Sequence, residues 1–428
     1  MKNKLHHRIK NNVKLFIFAL AISFIFLFIM LIKGYQSAPG LLYASTIFLT
    51  TFMTSRILGS FFYNPKSEID LNYTPRVTFV VPCKNEEKAI YHTIQKCFEV
   101  EYPKDKVEVI VINDGSTDNT LSEMTRAKKD FRDLDLKTIN FKKNKGKRFG
   151  MKYGFENAKG EIIIQLDSDS YPNAKTFRYI VMPFKDGKIS GVAGHSLPAN
   201  KDDNFLTKTQ YAYYFMSFRA LKACESLFSM CFCLSGCFSA YRKKDAVPLI
   251  KELCNEKFLG NKCTYGDDRS LTSYLLRDGY KTVYAPEAIG YTIVPNTWKI
   301  FLKQQNRWKK SFFIDAVKIS KFIIKRDKFV AFTYFFPLVL FTFVTPIIAV
   351  ISLIIIPLIY KIIPIFYIAG ILLISALCYA HYQVYSKEKK YGKYMFIWSI
   401  LNMTLLSYVM WYSMYDLFLN KNFGWSTR

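Results

Sequence analysis

Residues 161–171 read Glu-Ile-Ile-Ile-Gln-Leu-Asp-Ser-Asp-Ser-Tyr. Three β-branched residues running into Asp167-Ser168-Asp169 have the pattern of a buried strand whose carboxyl end opens into a site. Two carboxylates two residues apart on an extended backbone point the same way, so both can face one divalent cation or the groups it binds. A nucleoside diphosphate needs such a cation. Alone the motif reads as an ordinary solvated turn, and the other polar clusters taken singly read as loops or caps: Pro82-Cys83-Lys84-Asn85-Glu86, Asn113-Asp114-Gly115-Ser116-Thr117-Asp118, and Tyr265-Gly266-Asp267-Asp268-Arg269. Carboxylates heading a helix also serve as a simple cap. A further cluster, Gln304-Gln305-Asn306-Arg307-Trp308, lies in a basic amphipathic stretch from Trp298 to Lys325, which suits a helix lying in a membrane interface.

The elements that must position these clusters alternate. Strands are predicted at Val77–Val81, Val107–Ile112, Leu136–Phe141 and Ile162–Leu166, with helices at Glu86–Phe98, Thr117–Lys129 and Lys147–Asn157. Such alternation implies a mostly parallel sheet with helices on both faces, and ligands then sit beyond the carboxyl ends of the strands. Three polar clusters follow three of those strands. The second half is less regular: a strand near Phe232–Tyr241, then a helix Ser270–Arg277.

Half of the 428 residues are hydrophobic and 17% aromatic. Leu15–Ile32 holds 18 residues without a charge and Phe329–Tyr360 holds 32, where about 20 span a bilayer. A signal peptide has a shorter apolar region, so the first stretch is expected to be retained. Lys2, Lys4, Arg8, Lys10 and Lys14 place the N-terminus in the cytoplasm by the positive-inside rule. Leu41–Phe62 returns, with Arg56 near its inner end reaching to the interface; residues 63–328 are cytoplasmic. Phe329–Tyr360 is too long for one straight span and carries Pro337, Pro346 and Pro357 as breaks, Ile362–Ala380 comes back, and Tyr394–Asn420 spans or re-enters. The domains expected are therefore 1–62, 63–296, 297–328, 329–420 and 421–428.

The formal charge is +27. No nucleic-acid module accompanies it and the charge clusters beside apolar spans, which points to topology and anionic lipid. The nine cysteines include Cys231, Cys233 and Cys237, but no Cys-x-x-Cys pair or His set completes a zinc site. They read as reduced thiols in a packed interior.

With these pieces in place the chain resembles the processive family 2 glycosyltransferases, most closely the bacterial and viral hyaluronan synthases. The resemblance rests on Asp114-Gly115-Ser116, Asn144-Lys145-Gly146-Lys147-Arg148, Asp167-Ser168-Asp169, Ser235-Gly236, Gly266-Asp267-Asp268-Arg269, Gln304 through Ser311, and Trp425-x-Thr427-Arg428, in that order. It implies a GT-A-type α/β cytoplasmic domain inserted between transmembrane helices, in a multi-pass cell-membrane protein. By the same resemblance Asp268 is the general base. Asp114 binds the uridine, Lys147, Arg148, Gln304 and Arg307 the donor diphosphate, and Asp167 and Asp169 the nucleotide, with Asp169 holding Mg2+ or Mn2+. Ser235, Gly236, Asp267 and Trp308 belong to the acceptor site, and Trp425, Thr427 and Arg428 to a lid. Implied partners are UDP-sugars, a growing polysaccharide and anionic lipid, with no nucleic acid and no obligatory protein partner.

The sequence departs from the family at Lys84, where relatives carry an aromatic, at Asn113 in place of Asp, at Cys237 in place of Pro, and at Ser426 in place of Gly. Acceptor identity is the inference these changes touch most. The expected activity is polymerisation from UDP-N-acetylglucosamine and UDP-glucuronic acid with secretion of the product. The alternatives are a glucose and glucuronate capsule, a chitin-like product or poly-N-acetylglucosamine. A nucleotide-binding transporter is the reading from another class, and it leaves Asp268 and Trp308 without a task.

Overall fold

The computed structural model describes residues 40–65, 68–361 and 363–419. Leu15–Ile32 and the tail residues Trp425, Thr427 and Arg428 lie outside them. The chain divides into two units: among the described residues, Pro65–Asn200 with Ser229–Val294 forms a sheet unit, while 40–64, Lys201–Phe228 and 295–419 form a helical unit. The expected domain 63–296 thus gives up residues 201–228 to the helices.

In the sheet unit the order is β1 (Val77–Cys83), α1 (Ile90–Phe98), β2 (Val107–Asp114), α2 (Thr120–Asp130), β3 (Asp135–Phe141), α3 (Lys147–Asn157), β4 (Ile162–Gln165), β5 (Ser170–Pro172), β6 (Ile189–Pro198), β7 (Ser239–Arg242), α4 (Lys243–Cys254), α5 (Asp267–Arg277) and β8 (Lys281–Thr292). Eight strands form one sheet in the order β3-β2-β1-β4-β7-β6-β8-β5. The first four are parallel. β7 then runs antiparallel to both β4 and β6, β8 is parallel to β6, and β5 closes antiparallel on β8. The sheet is mixed, more so than the repeating pattern of the first half implies.

Every residue of β1, β2 and β4 is buried, which is why these strands read as continuous Val and Ile rather than alternating. Pro82 is tolerated inside β1 because pairing with β4 stops at Val80, leaving that side of the strand without a ladder to break. The core gathers Phe79, Val109, Ile164, Phe177 and Phe238, all fully buried, each worth about 1.5–3 kcal/mol of transfer from water.

The helical unit contains α6 (Gly40–Phe61), α7 (Phe205–Met216), which continues through a π-helical stretch Ser217–Lys222 into Ala223–Ser226, and α8 (Trp298–Ser320). Then come α9 (Lys328–Tyr360), α10 (Ile365–Tyr385), α11 (Tyr394–Met403) and α12 (Leu405–Phe418). Two helices, Lys328–Tyr360 and Tyr367–Tyr385, are long and apolar enough to cross a membrane; α11 and α12, bent by 41° at Thr404, count as a third if taken as one span. Contrary to expectation α9 does not break at its prolines. A proline ring clashes with the carbonyl four residues earlier. For Pro337 and Pro357 those carbonyls belong to Thr333 and Leu353, each inside a π turn, Ala331–Phe335 and Ile351–Ile355, whose wider loop makes room.

Arg56 also differs from expectation. It does not reach outward but is buried, with Nη2 donating to the Tyr334 hydroxyl at 2.7 Å, and that hydroxyl donates to Glu225 Oε1 at 3.1 Å. A charge among apolar helices that finds a carboxylate through one tyrosine ties α6, α9 and the end of α7 together. All nine cysteines are free thiols, eight of them buried, as the sequence suggested.

Candidate active site

Because β1, β2 and β4 are parallel, their carboxyl ends share one edge, and the loops that follow them are stitched together. Ser116 Oγ accepts from the Asn85 amide nitrogen at 2.9 Å, Asn85 Oδ1 accepts from Thr117 N at 2.9 Å, and Thr120 Oγ1 accepts from Glu86 N at 2.8 Å. Asn85 makes its part with φ +56°, a conformation asparagine tolerates better than most residues. Asn113 accepts from Ser116 N at 3.1 Å and donates through Nδ2 to Asn140 Oδ1 at 2.9 Å. A carboxylate there could not make the second bond, so the amide at 113 is matched to its neighbour.

Asp114 is 4% exposed, and its two oxygens accept from Lys145 N at 2.7 Å and Gly146 N at 2.9 Å. It therefore holds the loop that launches α3. Gly115 follows at φ +67°, and a Cβ there would stand 2.7 Å from the Asn144 backbone nitrogen, so only glycine lets this loop close.

The first residue of α3 reaches the end of β4: Lys147 Nζ lies 2.5 Å from Asp167 Oδ1. Burial disfavours the ammonium, but Asp167, with Asp267 and Asp268 behind it, outweighs burial and holds the lysine pKa above its ordinary value. The segment entering β7 crosses the same spot. A Cβ on Gly236 would lie 3.2 Å from Asp167 Oδ1 and 3.4 Å from Lys147 Nζ, and Gly236 N donates to Asp268 Oδ2 at 3.3 Å. Asp268, at the N-terminus of α5, also accepts from Arg269 N at 2.9 Å and has the Cys233 thiol at 3.7 Å. One small region thus holds an ammonium, a carboxylate beside it, and a second, half-buried carboxylate on the far side of a glycine.

Asp169 sits two residues on, 7% exposed, with the Ser170 hydroxyl at 3.3 Å. Among the described residues no group of three or more His, Cys, Asp or Glu could hold a metal by itself. Mg2+ and Mn2+ sites at nucleotides use one or two carboxylates and take the other ligands from phosphate and water. Asp169 with Asp167 is a donor set of that kind.

The sequence from residue 75 to 311 matches a family model described as Glycosyltransferase like family 2. The chain belongs to that family. This glycosyltransferase is 29% identical over 420 residues to a hyaluronan synthase of Streptococcus pyogenes, a match covering 96% of each chain. It is also 29% identical over 261 residues to an N-acetylglucosaminyltransferase of Azorhizobium caulinodans, covering 60% of this chain and 65% of that one. Among solved structures, a mannosyltransferase of Pyrobaculum calidifontis, in complex with GDP-Man and Mn2+, superposes with a TM-score of 0.51 at 20% identity, over 85% of this chain and 99% of that one. That likeness establishes a shared GT-A architecture.

Two residues expected at the substrates are buried and paired with each other. Arg148 is 4% exposed, and its guanidinium meets Asp267 Oδ1 at 2.7 Å, Glu256 Oε2 at 2.7 Å and the carbonyls of Leu253 and Tyr265, each at 2.8 Å. Four of its five N–H donors are committed inward. Asp267, 2% exposed and paired to Arg148, is closed to an acceptor sugar. Together they fix the start of α5 and hence the placement of Asp268. Burial disfavours this arginine's charge, yet Asp267 and Glu256 prevail and raise its pKa.

Glu256, which also accepts from the Tyr274 hydroxyl at 3.1 Å, completes that anchor and carried no motif to announce it. Asn85 was visible only as part of a turn. Gly236 does lie beside Asp268, and Ser235 precedes it in the chain. Gln304, Arg307 and Trp308 belong to α8 in the helical unit, where the Trp308 ring lies 6.2 Å from Tyr213 and 6.3 Å from Tyr214.

Gly236 gives a direct test. Gly236→Ala places a methyl against Asp167 and Lys147 and is expected to lower turnover roughly tenfold to a hundredfold, since an ångström of displacement at reacting groups carries that cost. UDP release measured beside a thermal melt checks it: unchanged turnover would mean the pair does not serve the reaction.

Proposed function

We propose that this glycosyltransferase is a membrane-embedded, processive, inverting enzyme that polymerises UDP-sugars, with UDP-N-acetylglucosamine and UDP-glucuronic acid as donors, and secretes the chain it makes. The observation that carries the reading is the meeting of Lys147, Asp167 and Asp268 around Gly236. Similarity along nearly the whole length to a hyaluronan synthase supports the choice of substrates.

Inverting transfer needs a base on the face of the anomeric carbon opposite the leaving diphosphate. In this reading Asp268 takes the proton of the acceptor hydroxyl as its oxygen bonds to the anomeric carbon. The bond from that carbon to the phosphate oxygen breaks, and UDP departs with the electron pair. Lys147 donates to the diphosphate and offsets its growing charge, and Asp114 keeps the loop before it in place. A divalent cation held through Asp169, with Asp167 beside it, supplies further positive charge to the leaving group when bound. Gln304 and Arg307 serve the donor and Trp308 gives a sugar ring a flat apolar face. Trp425, Thr427 and Arg428 close over the nucleotide. The catalytic unit faces the cytoplasm, and the apolar helices carry the product outward.

Radiolabel incorporation by membranes from single and paired UDP-sugars tests the proposal. Both donors together, with Mg2+ or Mn2+, are expected to give a high-mass polymer that hyaluronidase digests. The similarity to an N-acetylglucosaminyltransferase favours one rival, a chitin-like or poly-N-acetylglucosamine product. Polymer from UDP-N-acetylglucosamine alone would establish that rival, and polymer from UDP-glucose with UDP-glucuronic acid would establish the capsule reading.

A further inference from the structure

The second half of the bent apolar pair, α12, carries one acidic residue. Asp416 is 6% exposed among Leu, Tyr, Trp and Phe, and it is met from α8: Lys310 Nζ lies 2.8 Å from Asp416 Oδ2, and Asn306 Nδ2 donates to the same oxygen at 3.0 Å. Asn306 and Lys310 are one turn apart and share a face of α8. One turn before Asp416, the Ser413 hydroxyl donates to the Val409 carbonyl of its own helix at 2.6 Å and lies 3.3 Å from the Asn306 backbone carbonyl. Asp416 thus grips two residues a turn apart on α8. Asn306 stands between Gln305 and Arg307, so the grip falls inside the Gln-Gln-Asn-Arg-Trp segment.

Stability does not account for such an arrangement. A buried ion pair is often no better than apolar packing of the same volume, and what it does supply in well-attested cases is a fixed register. An ionisable side chain in an apolar helix, paired to a named partner, calls for a functional account. The register fixed here is that of α8 about its own axis. By taking the Asn306 amide nitrogen, Asp416 also decides which way that amide faces and leaves Asn306 Oδ1 buried with no partner among the described residues. Gln304 Oε1 and Gln305 Nε2, on the same segment, are likewise buried and unpartnered there. Polar atoms left open in an interior are costly unless a ligand takes them up.

We propose that Asp416 is a positioning residue for sugar transfer, acting through Lys310 and Asn306 to set the rotation of the helix that presents Gln304, Arg307 and Trp308. The last apolar helix is then part of the transfer machinery as well as a membrane element. This rests on the proposed function, in which α8 serves donor and acceptor.

The test uses the full chain in membranes or detergent. Asp416→Asn, Lys310→Met and the double variant are compared with wild type for UDP release, donor KM, UDP binding and product length. Asp416→Asn is expected to lower kcat about tenfold or more, with UDP affinity within about twofold and shorter products, and Asp416→Glu is expected to recover part of the loss. Because the pair acts as one, the double variant is expected to be no slower than the worse single one, and it removes both charges should either single variant fail to fold. Folded Asp416→Asn and double variants with wild-type kcat and product length overturn this inference alone. Wild type that releases no UDP from any sugar nucleotide overturns the proposed function and this inference with it.

Discussion

Asp268→Asn is expected to abolish polymer synthesis while leaving the protein folded and able to bind UDP. An amide of the same shape still accepts from Arg269 N, the shorter of the two backbone bonds at 2.9 Å, so little local structure depends on the charge. What the amide cannot do is take a proton. General-base catalysis contributes about 10²–10⁴-fold, or roughly 3–5 kcal/mol of barrier at 1.36 kcal/mol per factor of ten. Turnover measured as UDP release should fall by that factor with UDP affinity close to wild type. If Asp268→Asn polymerises at the wild-type rate, the base lies elsewhere and Asp268 is a helix cap.

Arg148→Met is expected to act on stability. Removing the guanidinium leaves Asp267 and Glu256 facing each other in the interior, both nearly inaccessible. Breaking a buried pair from one side costs about 3–5 kcal/mol. For a unit of this size, that lowers the melting temperature by roughly 6–20 °C. Arg148→Lys should recover little, because an ammonium cannot serve two carboxylates and two carbonyls set around a planar fork. A melt followed alongside UDP binding distinguishes the two roles that have been given to this residue. Normal melting with weakened UDP binding would return Arg148 to the diphosphate.

The contrast between Lys147 and Arg148 shows where sequence reasoning stops. Adjacent residues on a helix point about 100° apart, and here Lys147 turns to Asp167 while Arg148 turns inward to Asp267 and Glu256; the motif marked the place but not these separate partners. β1, β2 and β4 were legible because each is a β-branched run closed by a polar cluster, and β3 from its place in the alternation. β6 and β8 were not. β6 reads Ile-Ser-Gly-Val-Ala-Gly-His-Ser-Leu-Pro, where Gly194 is needed because a Cβ would meet the Phe238 ring at 2.3 Å, so packing replaces the hydrophobic pattern with small residues. β8 carries Pro286, which argues against a strand. The structure accommodates it where the β6 ladder slips between Tyr284 and Ile289. The carboxylates of the site were legible from their types and order. Glu256 was not, because its role is set by a residue more than 100 positions earlier.

The unbroken helix Lys328–Tyr360 bears on the bilayer itself. At 1.5 Å per residue its 33 residues extend about 50 Å, against a hydrocarbon thickness of about 30 Å. Tilt alone would have to exceed 50° to hide that length, well past the usual 0–40° range. Some of the helix must therefore emerge from the acyl region or thicken the lipid around it, and either adjustment shifts with acyl-chain length. In the membrane-embedded reading proposed above, bilayer depth is therefore expected to act on this helix.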